Sequence, residues 1–388
     1  MPSIFDEIID RRNSGSAKWN YYDADVLPAW VADTDFRSPE PILKALHKAA
    51  DHAVFGYHLD SKVLRETLVK RLADRYHWQV KTTDFMFTPN LVSVLNFVSK
   101  AFTAPGDEVL MTTPVYPPFI SAPANSDRVA TMVDMRVVQN GQEIRYEVDF
   151  DAFEAAITPR TKVFILCNPH NPVGRMWSQA ELERLAAICL RHNILICADE
   201  IHCDLIMDGG QHIPMASLSP EIADRTITIM SPSKTFNVPA LGLAFSVIQN
   251  EALRATLEKS MMGFMPHVGT FGYAGAEAAY AECQPWLDEL LPYLRGNRDF
   301  LVAYVQEHFP QVRYTKPEAT YLGWLDWNAM NLPAESPYKF FLEKARVALG
   351  DGIGFGEAGK GFTRVNYGTT RETLTEILER MRAAVESI

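Results

Sequence analysis

The chain has 388 residues, 47% of them hydrophobic and 22% charged, with a net charge of −11. That length supports about two domains around a large core, and the acidic balance argues against non-specific nucleic-acid binding and against anionic membrane surfaces. No stretch approaches the roughly 18 apolar residues of a spanning helix, and no basic segment leads into an apolar run at the start, so a cytoplasmic location is expected.

In chain order, residues 1–45 form a Trp- and Asp-rich arm containing LPAWVADTDF, and FTPNLVSVL reads as a helix start at Asn90 and Leu91. Four apolar runs follow at 162–167, 194–198, 226–230 and 243–248, each fit for a strand buried on both faces. Between the first two, Ser178 and Glu181 have capping-box spacing, and Leu182, Leu185, Ile188 and Cys189 follow a helical stripe. Strands separated by helices predict an α/β fold with a doubly wound, mostly parallel sheet. From about Gln284 onward, WLDELLPYLRGNRDFLVAYVQEHF reads as helix, ATYLGWLDW and GFTRVNYG as strands, and RETLTEILERMRAAVESI as a closing amphipathic helix. The expected division is an arm at 1–45, a large domain at 46–284 and a smaller α+β domain at 285–388 with which the arm packs. Five scattered cysteines without a CxxC pair predict reduced, mostly core thiols.

Ligands of such sheets bind beyond the carboxyl ends of the strands. Asn168 to Asn171, Asp199 and Lys234 all stand at predicted strand ends, so three polar groups converge on one rim. Taken singly, each has an ordinary alternative as turn former, helix-start charge or solvated lysine. The chain carries no GxxxxGK[ST] loop, HExxH helix or GxSxG elbow, which removes common nucleotide, zinc-protease and serine-hydrolase readings. A lysine amine in a partly desolvated pocket can form a Schiff base with an aldehyde. Pyridoxal phosphate asks for such a lysine and for a carboxylate that keeps its pyridine nitrogen protonated. It also needs a donor to its phenolic oxygen, a packing face and phosphate donors, and the chain offers a candidate for each.

CNPHNPVG, ADEIHCDL and SPSKTFN, in this order, resemble the class I/II aminotransferase-like family of pyridoxal-phosphate fold type I. FDEIIDRR, WVADTDF, FGYH, TPVYPPF and DEIHCDL are similar to its cystathionine β-lyase and cysteine-S-conjugate β-lyase branch, and the resemblance covers nearly the whole chain. It implies that Lys234 carries the cofactor and moves the Cα proton, and that Asp199 pairs with the pyridinium nitrogen. Asn171 would donate to the phenolic oxygen, with His202 one helical turn beyond Asp199 where many relatives have a tyrosine for that task. Tyr116 would stack on the ring. Ser231, Ser233 and the backbone N–H groups around Asn90 and Leu91 would hold the phosphate. Tyr57 would reach the phosphate of the neighbouring subunit, which requires a homodimer. Arg364 would clamp the substrate carboxylate with its planar fork. Trp30, Tyr321 and Trp324 suggest an aromatic-lined substrate pocket, with core packing as the equal alternative. No metal is implied.

The chain departs from the family in several places. Gly242 stands where many aminotransferases have an arginine, an absence that the lyase branch shares. Asn90 replaces a glycine at the phosphate-binding helix start, where asparagine would tolerate a positive φ. Pro239 and Ala240 replace a glycine after the lysine, and Ala319 another on the segment facing the substrate. The expected reaction is β-elimination from an L-cysteine thioether such as cystathionine or a cysteine S-conjugate, giving thiol, pyruvate and ammonia. The same residues would serve transamination with a 2-oxo acid, and a regulatory dimer of this fold is the non-catalytic alternative.

Overall fold

A computed structural model describes residues 3–388. Two seven-stranded sheets organise the chain. The first runs in the order Phe85–Thr88, Ala244–Val247, Thr226–Met230, Leu195–Asp199, Thr161–Cys167, Glu108–Thr113, Val129–Asp134. Its last five strands are mutually parallel, and Ala244–Val247 runs antiparallel to both neighbours. Thr226–Met230 and Leu195–Asp199 are buried along their whole length, which is why they read as unbroken apolar runs: helices cover both faces. The helix Gln179–Arg191 opens with the expected capping box, Ser178 accepting from the Glu181 N–H and the Glu181 carboxylate accepting from the Ser178 N–H.

The second sheet has the order Leu27–Ala29, Val347–Asp351, Phe362–Asn366, Leu322–Asp326, Arg313–Tyr314, Glu143–Glu147, Arg136–Asn140. The N-terminal strand Leu27–Ala29 pairs in parallel with Val347–Asp351, which fastens the arm to the C-terminal third. A hairpin at 136–147 also joins this sheet, through Glu143 beside Tyr314, although its sequence lies in the middle of the chain. The 25-residue helix Gln284–His308 and the closing helix Arg371–Glu386 pack on one another and on this layer. GFGEAG at 354–359 has the GxGxxG spacing of a dinucleotide loop, but it forms two 3₁₀ turns between strands of the second sheet and opens no α-helix, so it lacks the context that gives the spacing meaning. All five cysteines are buried and unpaired. Among the described residues no helix is long and apolar enough to cross a membrane.

Candidate active site

The carboxyl ends of the first sheet open onto a cavity of about 410 Å³. Its walls include Trp30, Asn90, Leu91, Tyr116, Asn171, Asp199, His202, Ser231, Ser233, Lys234 and Arg364, so the sequence-derived candidates converge except for Tyr57, Tyr321 and Trp324.

Asp199 is the last residue of its strand, and its carboxylate accepts from the Ile201 N–H at 3.1 Å. Complete burial pushes its pKa up to about 7, with Glu200 adding to the rise and Lys234 opposing it. His202 follows in a turn rather than the expected helical turn. Burial drives its pKa down to about 3, so the ring is neutral, and its buried Nδ1 has no hydrogen-bond partner. Lys234 sits in the one-turn helix Pro232–Thr235 capped by Ser231. Its Nζ donates to the Ala32 carbonyl at 2.6 Å. Burial first, and the Arg364 charge second, bring its pKa down to about 8, so a useful fraction of the amine is neutral near physiological pH.

Arg364 lies on the strand Phe362–Asn366 of the second sheet and reaches across to the first. Its Nη1 donates to Asn171 Oδ1 at 3.0 Å and its Nη2 to the Trp30 carbonyl at 2.7 Å, while its buried Nε has no partner. Because a guanidinium only donates, Asn171 must turn its Oδ1 to Arg364, which leaves the Nδ2 amino group as the free donor. Burial lowers the Arg364 pKa to about 10, still well above neutrality.

The phosphate candidates differ in what they can offer. Ser231 Oγ accepts from the Ser233 N–H at 3.1 Å and donates to the Leu243 carbonyl at 2.7 Å, so its proton is engaged within the chain. The Ser233 hydroxyl, 2.9 Å from Ser231 Oγ, remains available. Asn90 caps the helix Leu91–Ala101, its Oδ1 accepting from Ser93 N at 2.8 Å. That leaves the first N–H groups of an eleven-residue helix unpaired and pointed at the cavity end. The tolerance of asparagine for a positive φ is not drawn on: Asn90 has φ −159°, extended backbone open to any residue, and it is present as a cap. The left-handed positions after the lysine fall on Asn237, with φ +56°, and on Gly242, with φ +67°, and Pro239 starts the short turn between them. Likewise the positive φ near Ala319 belongs to Thr320, at +72°.

Trp30 belongs to a strap, residues 30–35, that sequence reasoning saw only as a motif. Its carbonyls hold the reactive groups: Trp30 accepts from Arg364, Ala32 from Lys234, and Val31 and Asp33 each from Asn366 Nδ2 at 2.6 Å. Tyr321 and Trp324 do not line the cavity. Tyr321 is buried behind the strap, its hydroxyl donating to the Ala32 carbonyl at 3.0 Å, and supports the wall from there, while Trp324 is a core residue whose Nε1 donates to the Tyr146 hydroxyl at 3.1 Å. Behind the strap, Lys18 Nζ and Arg11 Nη1 each lie 2.7 Å from the Asp35 carboxylate, and Trp19 Nε1 donates to it. Burial alone would raise the Asp35 pKa, but Lys18 and then Trp19 and Arg11 more than offset it, and the net direction is down. Lys18→Met should therefore cost about 3 kcal/mol of stability, read as a fall in denaturant midpoint at unchanged m-value. Other cavity residues missed from sequence are Cys167 and Ile201, the latter two places after Asp199 in ADEIHCDL.

The model of the family "Aminotransferase class I and II" matches residues 24–381, most of the chain and all of the cavity. The chain belongs to that family. Among its class I and II relatives, the cystathionine beta-lyase PatB of Bacillus subtilis (strain 168) is 36% identical, over 98% of this chain and 99% of its own. The solved structure of OvoB is 41% identical with a TM-score of 0.93, covering 99% of each chain. Cystalysin from Treponema denticola, whose structure contains a pyridoxal 5′-phosphate cofactor, is 32% identical with a TM-score of 0.93 over the full length of both chains. The two seven-stranded sheets and the helices packed on them are thus the pyridoxal-phosphate fold type I arrangement.

Tyr57 stands apart from the cavity. It is fully exposed, on an irregular segment with Val54, Phe55 and Leu59, which are also exposed.

Proposed function

We propose that this protein is a pyridoxal-phosphate-dependent carbon–sulfur lyase that eliminates the thiol from L-cysteine thioethers, releasing pyruvate and ammonia. The convergence of Lys234, Asp199, Asn171 and Arg364 on one cavity carries the proposal, and the full-length likeness to a cystathionine beta-lyase supports elimination over transamination. The residues present fit the cofactor: a buried amine, a buried carboxyl at the strand end, an unpartnered imidazole Nδ1, a free amide donor and an unpaired helix start. When bound, pyridoxal phosphate supplies the electron sink that lets a Cα–H and then a Cβ–S bond break.

The chain's own residues do the rest. Lys234 would hold the aldehyde and, once displaced by the substrate amine, take the Cα proton; Asp199 would hold the proton on the pyridine nitrogen. Asn171 Nδ2, with His202 beside it, would donate to the phenolic oxygen, and Tyr116 would pack on the ring face. The Ser233 hydroxyl, beside which Ser231 is fixed, and the N–H groups at Asn90 and Leu91 would hold the phosphate. Arg364, already fixed by Asn171 and the Trp30 carbonyl, would orient the substrate carboxylate and so the Cα–H bond. The thiolate leaves Cβ, and the released unsaturated amino acid hydrolyses to pyruvate and ammonia. Arg364→Lys should lower kcat/KM about 100-fold, mainly through KM, because an ammonium cannot span Asn171 and a carboxylate together.

The reading includes a homodimer in which Tyr57 enters the site of the partner. Sedimentation should show a dimer, and Tyr57→Phe should weaken cofactor retention about tenfold, measured by dialysis against phosphate buffer. It also includes the division into 1–45, 46–284 and 285–388, with residues 1 and 2 of the arm outside the described residues, and a cytoplasmic location for a chain of buried unpaired cysteines. The test of the reaction is incubation with L-cystathionine and S-methyl-L-cysteine without any 2-oxo acid. Sustained, stoichiometric pyruvate and thiol establish the lyase; one turnover that restarts only on adding a 2-oxo acid means transamination.

A further inference from the structure

The motif SPSKTFN ends in an asparagine to which the reaction gives no part. Asn237 stands three places after Lys234, with a left-handed φ of +56° that asparagine tolerates. From there its amide closes on the strap. Oδ1 accepts from the Thr34 N–H at 3.0 Å, while Nδ2 donates to the Thr34 carbonyl at 2.9 Å and to the Phe36 carbonyl, just past the strap, at 3.2 Å. One side chain thus takes both backbone groups of Thr34, as an antiparallel neighbour strand would. The strap's other ties run elsewhere. Arg364, Asn366 and Tyr321 hold its carbonyls from the second sheet and its strand ends, and the Gly368 carbonyl accepts from the Asp35 N–H at 2.9 Å. Arg11 and Lys18 bond it from the arm. Among the described residues, only Lys234 and Asn237 bond it from the segment that carries the lysine.

Of those two, the Lys234 bond is given up whenever the amine engages an aldehyde, and the Asn237 bonds are the ones that last. We propose that Asn237 is a positioning residue for Lys234: it keeps the Ala32 carbonyl in register with the lysine's own turn, so that an amine set free by the substrate returns to one place. The inference rests on the lyase reading, in which that free amine takes the Cα proton. An amine that donates one N–H to a fixed carbonyl has its lone pair aimed in one direction, and a base so held needs no search before proton transfer. Without the Asn237 amide, the Ala32 carbonyl would stay fixed to the second sheet but would no longer be tied to the segment that carries the lysine. Asparagine suits the position because it joins tolerance of a positive φ to an amide with both an acceptor and two donors. Aspartate would turn a second oxygen on two carbonyls.

Asn237→Gly tests this, because glycine accepts φ +56° and only the amide is lost. In the cofactor-loaded enzyme, kcat for S-methyl-L-cysteine should fall about tenfold or more with KM within about threefold, since Arg364 keeps its bonds to Asn171 and Trp30. Ser38→Ala removes a hydroxyl that donates to the Asn237 carbonyl at 3.4 Å, beside the same contact, and should leave kcat within about twofold. The second measurement needs no turnover. Thermal melts compare the cofactor-free parent, Asn237→Gly, Lys234→Met and the double variant. Asn237→Gly should lower the melting temperature by at least about a third less in the Lys234→Met background, where no amine is left to position. A purely structural amide would lower it equally in both. Equal falls overturn the proposal, and so does an unchanged kcat, a loss that lies in KM, or a loss that Ser38→Ala matches. Failure of the lyase reading looks different: the parent then yields no pyruvate from any thioether, and the melts decide alone. Should Asn237→Gly fail to fold, Asn237→Asp, which keeps the left-handed backbone and the Oδ1 acceptor but no donor, enters the same comparisons.

Discussion

Replacing Lys234 by alanine is expected to reduce pyruvate release from L-cysteine thioethers by at least about 10³-fold, because one substitution removes both the cofactor anchor and the base for the Cα proton. The loss should fall on kcat, with the protein still folded. The same variant should be more stable than the parent when both are free of cofactor. Burial holds the Lys234 pKa near 8 against 10.5 for a solvated lysine, so the folded chain binds fewer protons than the unfolded one between those values. Stability therefore rises with pH through that window, and the penalty is complete below about pH 8. Removing the amine should recover up to about 3 kcal/mol at pH 7 and progressively less toward pH 10.5. Thermal melts of both cofactor-free proteins at pH 7 and pH 10 check the sign. A Lys234→Ala protein that keeps turning over substrate would end the assignment. One that loses turnover yet retains a cellular phenotype would instead support the regulatory alternative.

The groups that sequence made visible are those whose role is set locally. Asp199 and Lys234 lie at the ends of strands that are apolar because both faces are covered, so the sheet itself delivers them to one rim. Ser178 and Glu181 likewise announce their helix within four residues. What escaped notice depends on contacts between distant segments or on the backbone. The Ala32 carbonyl meets Lys234 across 202 positions, and a carbonyl has no residue type to betray it. Tyr321 reads as a pocket aromatic until its hydroxyl is found on that same carbonyl from behind. At Asn90 the sequence shows only a residue tolerant of a positive φ in place of a glycine, whereas its side chain caps the helix from extended backbone. The hairpin at 136–147 did carry a local signal, Asn140-Gly141 between alternating residues, with Gly141 at φ +63°. Its membership of the second sheet did not, because a single register of Glu143 on Tyr314 decides it.

Asp199→Asn should likewise lower elimination by about 10³-fold, since an amide cannot hold a positive charge on the cofactor nitrogen, and it should do so while stabilising the cofactor-free protein. The sign runs opposite to that for Lys234. Burial lifts the Asp199 pKa to about 7 from 3.8, so the folded chain binds the extra proton between those values and stability falls as pH rises through them. The penalty is complete above about pH 7 and absent below about pH 4. The asparagine variant should gain about 2–4 kcal/mol at pH 8 and almost nothing at pH 4, seen as a melting temperature several degrees higher only at the upper pH. Equal melting temperatures at pH 8 would mean that water or rearrangement solvates the carboxylate in the empty cavity. Asp199 and Lys234 share this cavity, and each is held away from its solution pKa by burial; a protonated ring nitrogen would relieve the Asp199 share of that penalty, and condensation of the amine with the aldehyde would relieve the Lys234 share. For the parent, cofactor binding at pH 8 should accordingly raise the melting temperature by more than it does in Asp199→Asn.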